Sequence, residues 1–96
     1  MKGHEQGKRR PALVISPAAY NRRAELCIAC PITSKAKGYP FEVALPPGHG
    51  ATGVVLADQV RSLSWVERNI EITGNAPVDT LAEVRAKLAT VTGIDP

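Results

Sequence analysis

A small α+β domain, in which one helix packs on a short and strongly bent sheet, is the fold the 96-residue sequence predicts. Three observations predict it. Five or six short apolar runs are separated by glycine- and proline-containing turns, the only long helical stripe comes last, and the length suits a single hydrophobic core spanning residues 1–96. Apolar residues at 44% and charged residues at 22% exclude wholesale disorder. No apolar run approaches the roughly 18 residues of a membrane-spanning helix. The opening Met1-Lys2-Gly3-His4-Glu5 lacks the apolar stretch of a secretory signal, so a cytoplasmic protein with no membrane partner is expected.

The first ten residues are polar and read as a loop or arm. Ala12-Leu13-Val14-Ile15, opened by Pro11 and stopped by Ser16-Pro17, predicts a buried strand; Pro11 cannot donate to a ladder and suits a first position. Residues 18–24 form a connection with room for one helical turn. Leu26 to Ile32 is the second strand, and Thr33 to Gly38 a polar loop. Phe41-Glu42-Val43-Ala44-Leu45 alternates as a half-buried strand does, and Pro46-Pro47-Gly48-His49-Gly50 is turn chemistry. Residues 53–57 and 59–63 predict two more strands with a bend near Asp58. Ser64 to Arg68 reads as one helical turn, and Ile70-Glu71-Ile72 as a last short strand. In the final segment Leu81, Val84, Leu88 and Val91 form one apolar stripe. Thr80 with Glu83 fits a capping box, with Asp79 as the alternative cap, and Gly93 suits the C-terminal stop.

Cys27 and Cys30 lie in an apolar strand pattern, where positions three apart point to opposite faces, so their sulfurs are expected to diverge and pack as small apolar groups. Two cysteines cannot complete a zinc site, and His4 and His49 both sit in glycine-containing turns far apart in sequence. No metal and no cofactor is therefore expected. The net charge of +3 hides a gradient: residues 1–37 carry +6 and residues 38–96 carry −3. Such a basic half suits a phosphate backbone or an acidic protein segment.

The residues left to carry chemistry are Glu5, the Lys8-Arg9-Arg10-Pro11 cluster, Thr33-Ser34-Lys35 and Lys37 to Phe41. Arg10 precedes a strand-opening proline and Thr33 follows the end of the next strand. If those strand ends meet, a guanidinium and a hydroxyl converge beside a basic loop, which is equipment for gripping a phosphate. The competing reading is an Arg10–Glu5 ion pair with Thr33 capping a turn.

These motifs, in order, resemble the MazF/PemK/Kid family of toxins. They are Gly3-His4-Glu5-Gln6 leading into Arg10-Pro11-Ala12-Leu13-Val14, then Ser16-Pro17, Tyr20-Asn21 and Pro31-Ile32-Thr33-Ser34. Lys37-Gly38-Tyr39-Pro40-Phe41-Glu42-Val43 and the stretch from Gly53 to Trp65 follow. The resemblance implies an SH3-like, strongly bent antiparallel sheet with a C-terminal helix, working as a homodimer that lays RNA across its groove. It also implies a metal-independent endoribonuclease that cuts single-stranded mRNA through the 2′-OH, leaving 2′,3′-cyclic phosphate and 5′-OH ends. Arg10 and Thr33 fall on the family's catalytic arginine and threonine, and Glu5 on an acid some members need. Gln6, Arg9, Ser34, Lys35, Lys37, Tyr39 and Phe41 are the expected RNA contacts, while Asp58 and Gln59 match a pair read as structural. The implied partners are an antitoxin with an acidic tail and, through that complex, operator DNA.

Family members normally begin with an additional strand before the Gly-x-Glu-Gln segment, whereas this chain starts at Met1-Lys2-Gly3 within the loop that follows it. Two other functions sit on the same resemblance: a gyrase poison of the CcdB kind, and a non-catalytic member that only binds antitoxin. A generic RNA-binding barrel would want exposed stacking aromatics, and the chain holds four aromatic residues in all.

Overall fold

The computed structural model describes residues 10–94, and the chain order is strand, helix, four strands, helix. Strand β1 is Ala12–Val14, helix α1 Ala18–Ala24, β2 Leu26–Thr33, β3 Glu42–Leu45, β4 Gly53–Leu56, β5 Arg61–Ser64 and helix α2 Val78–Thr92. Every strand pairing is antiparallel. The eight-residue β2 organises the sheet. One of its edges carries β1; the other is shared, with β5 along residues 26–29 and β4 at Ile32 and Thr33. Splitting one strand between two partners forces the sheet to bend, and β3 then extends it beyond β4. The α+β class, the bent antiparallel sheet and the closing helix are as predicted.

Both faces of β2 are covered in its middle. Cys30 and Ile32 enter the main core with Ile15, Val43, Leu45, Val55, Ala57 and Val84, and Ile28 packs against it. Cys27 and Ala29, also buried, have the opposite strand parity and face away from that core. The two thiols therefore do diverge, and both are free. Burial pushes both thiol pKa values above their ordinary 9.0, with the Asp58 charge adding to the rise at Cys30. Between the unfolded and folded values the native chain holds more protons than the unfolded one, so stability falls as pH rises past about 9. Urea midpoints measured from about pH 8 to about pH 10.5 should decline less in a Cys27→Ala/Cys30→Ala protein; equal slopes would remove the thiols from the linkage.

Helix α1 is seven residues long, more than the single turn expected. The Ser16 and Asn21 side chains hydrogen-bond to one another, Ser16 Oγ accepts the Ile28 N–H at 2.9 Å, and Asn21 Nδ2 donates to the Ser16 carbonyl. The Asn21 carbonyl in turn accepts the Trp65 indole N–H at 2.9 Å. These bonds anchor α1 to β2 and to the turn after β5, where the Arg68 N–H reaches the Ser64 carbonyl as a helical turn requires.

Two sequence expectations are corrected. Residues 70–72 form no strand: the chain turns at Asn69 (φ 54°), and the following segment crosses the 48–50 turn instead. The backbones come together there with Gly50 against Thr73 and Gly74 against His49, and a His49 Nδ1–Asn75 O hydrogen bond of 2.8 Å joins them. Ile72 is 78% exposed, so its alternation with Ile70 marks no buried face. Neither Thr80 nor Asp79 caps α2. The helix starts two residues earlier, at Val78, behind Pro77, whose fixed φ and extended backbone set the entry without a side-chain bond. Thr80 is instead buried one turn before Val84 on the packed face, and Asp79 lies in the first turn, where its charge complements the helix dipole.

The expected stripe holds through Leu88, while Val91 is exposed. Gly93 ends the helix in the left-handed conformation, as predicted. Arg85 and Lys87 serve other elements: Arg85 donates from Nε and Nη2 to the Ile15 carbonyl, at 3.0 and 2.6 Å, and Lys87 Nζ donates to the Pro40 carbonyl at 2.8 Å. Among the described residues no helix is long and apolar enough to cross a membrane.

Candidate functional site

Strand parity divides the β2–β4–β3 portion into a core face and an outer face. Ile32, Val55, Val43 and Leu45 point to the core. Thr33, Leu56 and Glu42 have the opposite parity and line a shallow, open groove of about 270 Å³ on the outer face. The ladder fixes their spacing, since Glu42 pairs with Leu56 and Thr33 with Val54. Beyond β4 the Ala57 N–H reaches the Phe41 carbonyl and the Gln59 N–H the Leu56 carbonyl, which brings Asp58 and Gln59 to the groove wall.

The β1–β2 register decides where Arg10 falls. Ala12 pairs with Pro31, and one step further the Ile32 N–H donates to the Pro11 carbonyl at 3.0 Å. The next pair in this register is Arg10 opposite Thr33. Directly opposed residues of an antiparallel pair share a face, so the two side chains originate on one side of the sheet. Arg10 is exposed. Thr33 Oγ1 accepts the Lys35 N–H at 3.1 Å, which leaves its hydroxyl proton free to donate.

The loop between β2 and β3 supplies the other wall. Lys35, Lys37, Tyr39 and Phe41 all line the groove. Lys37 Nζ stands 5.9 Å from the centroid of the Tyr39 ring, within cation–π range, and the ring is 59% exposed. The groove thus offers a hydroxyl donor, two ammonium groups and an accessible aromatic face, beside the carboxylates of Glu42 and Asp58. Such a set can bind phosphate oxygens and stack a base.

Residues 1–92 match the profile of the PemK-like, MazF-like toxins of type II toxin–antitoxin systems. The chain belongs to this toxin family. It is 42% identical over 92 residues to the endoribonuclease toxin MazF of Escherichia coli K12, covering 96% of this chain and 82% of that protein. The fold superposes on MazF of Deinococcus radiodurans with a TM-score of 0.85 at 61% identity, over 98% of this chain and 86% of that one. It matches the MazE–MazF structure from the same organism at 0.87 and 60%, over 90% and 84% respectively.

In this family member, then, the groove gathers five of the residues singled out from sequence: Thr33, Lys35, Lys37, Tyr39 and Phe41. Arg10 does not line the groove, and only continuation of the β1–β2 register sets its backbone opposite Thr33; Ser34 is exposed on the same loop without lining the groove either. Glu5, Gln6 and Arg9 lie outside the described residues. Sequence reasoning left four groove residues out of the site: Glu42 and Leu56, which it gave no role, and Asp58 and Gln59, which it read as a structural pair. Glu42 and Leu56 could have been found by pairing the alternation of residues 41–45 with that of residues 53–57, because one parity being core makes the other the outer face. Asp58 and Gln59 required the turn geometry after β4, which no local pattern carries.

Proposed function

We propose that this toxin-family member is an endoribonuclease that cuts single-stranded RNA at the phosphate held between Arg10 and Thr33. The observation that supports the proposal is the β1–β2 register, whose continuation past Pro11 pairs residues 10 and 33 beside the groove that Lys35 and Lys37 line. The ribose 2′-oxygen attacks the adjacent phosphorus while its proton passes to a base; the bond to the 5′-oxygen breaks, and that oxygen leaves with a proton. The products are a 2′,3′-cyclic phosphate and a 5′-hydroxyl. Arg10 and Thr33 donate to the non-bridging oxygens as their charge grows. A guanidinium holds its proton too firmly to act as an acceptor, which leaves Glu5 as the proposed base. Lys35 and Lys37 hold flanking phosphates, and Tyr39 offers a stacking face.

The protein works as a homodimer in this reading, and its inhibitor is an antitoxin whose acidic, apolar tail folds onto the groove beside Lys35 and Lys37. Support comes from the relatives named endoribonucleases and from the related MazE–MazF assembly. The deciding experiment incubates the protein in EDTA with a long RNA and with DNA of the same sequence, and maps the 5′ ends. Cuts at a short RNA motif with DNA left whole are expected, because only RNA carries the nucleophile. Intact RNA from a folded dimer would instead favour a member that only binds antitoxin.

A further inference from the structure

The 34–41 loop carries four of the groove's expected RNA contacts, Lys35, Lys37, Tyr39 and Phe41, yet it contains no helix or ladder to fix it. Its order must come from elsewhere, and at Lys37 and Gly38 one side chain supplies it. Glu42 Oε2 accepts the Lys37 N–H at 2.9 Å, and Oε1 accepts the Gly38 N–H at 3.0 Å. Both oxygens of one carboxylate are thus taken by two consecutive amides. Gly38, at φ +82°, gives the backbone the turn that brings them together. The Glu42 N–H closes the same loop from the other side by donating to the Tyr39 carbonyl at 3.1 Å. Glu42 itself is fixed, because it begins β3 and pairs with Leu56.

A carboxylate in a groove meant for RNA is costly if it faces the phosphates. Charge-assisted bonds to two backbone amides, which are stronger than neutral ones, turn that charge inward to the loop. Resting on the endoribonuclease reading above, the geometry points to Glu42 as a positioning residue: its carboxylate clamps the Lys37–Gly38 backbone and thereby aims Lys37 and Tyr39 at the RNA. It touches no reacting atom, and Arg10 and Thr33 keep their strand-borne positions without it.

Glu42→Asp and Glu42→Gln separate this role from its rivals. Aspartate keeps the charge but is one methylene too short to span both amides, and glutamine keeps the length but has one acceptor oxygen. Clamping predicts that both variants raise KM for RNA roughly tenfold with kcat within about twofold, since binding groups rather than the reacting pair are displaced. Amide exchange at Lys37 and Gly38 should quicken about tenfold in both, measured on the free protein. A purely electrostatic role predicts wild-type KM for Glu42→Asp and a lower KM for Glu42→Gln, which has lost a repulsive charge. A purely folding role lowers kcat through the active fraction and leaves KM in place. Either result overturns the proposal while the endoribonuclease reading stands, whereas a wild-type protein that cuts no RNA overturns both.

Discussion

Replacing Arg10 by alanine is expected to lower single-turnover RNA cleavage roughly 10²–10³-fold while leaving the melting temperature within a few degrees of wild type. The two halves of this expectation have separate causes. Arg10 lies two residues before the start of β1 and is exposed, so truncation removes no buried contact. Pro11 keeps the backbone at position 10 extended whatever the side chain. What is lost is a donor pair that fits phosphate oxygens in a fixed fork, at the place where the register meets Thr33. Lysine at position 10 should recover only a small part of the rate, because an ammonium is a point charge without that fork. Single-turnover rates at saturating protein, beside thermal melts, check both halves. Cleavage by Arg10→Ala at the wild-type rate would take the guanidinium out of the mechanism, and a collapsed melt would make its role structural.

That such a test could be framed from the sequence reflects which physical signals are local. The β2 run from Leu26 and the amphipathic stripe of α2 are long enough to declare their period, and both lie where expected. The Arg10–Thr33 convergence was legible only as a condition, two strand ends that had to meet; the ladder ends at Ala12–Pro31 and one further bond, Ile32 N–H to the Pro11 carbonyl, carries its register to the step before that pair. Residues 70–72 failed because alternation over three residues is too short to distinguish a strand from a crossing segment. The Thr80 cap failed because the capping pattern could not see that Thr80 was required on the packed face, nor that Pro77 alone could start the helix. Glu42 stood inside a motif in plain view, but its clamp depends on two amides four and five residues back and on the turn at Gly38, geometry that exists only after folding.

The largest loss of stability among single substitutions is expected at Gly53, and it should disable the groove together with the fold. Gly53 opens β4 at φ +120°, a region L-residues rarely occupy, at an expected cost of about 1–3 kcal/mol. A Cβ at that position would also stand 2.1 Å from the Thr33 carbonyl oxygen and 2.7 Å from its carbon, and both are backbone atoms of a paired strand that cannot swing aside. Relief requires β4 to move away from β2 where Thr33 pairs with Val54, at the junction that bends the sheet. Gly53→Ala should therefore cost about 3–4 kcal/mol and lower the melting temperature by about 12–30 °C, given roughly 4–8 °C per kcal/mol for a domain of this size. The fraction that still folds should cleave RNA about 10²-fold more slowly, because a displacement near 1 Å at Thr33 is enough to spoil alignment with the phosphate. Measuring the rate per folded molecule, well below the lowered melting point, isolates this second effect. A variant that melts near wild type would mean the β2–β4 junction yields without strain. One that is destabilised yet cleaves normally per folded molecule would mean that Thr33 holds its position independently of β4, and the groove would then owe its alignment to the β1–β2 ladder alone.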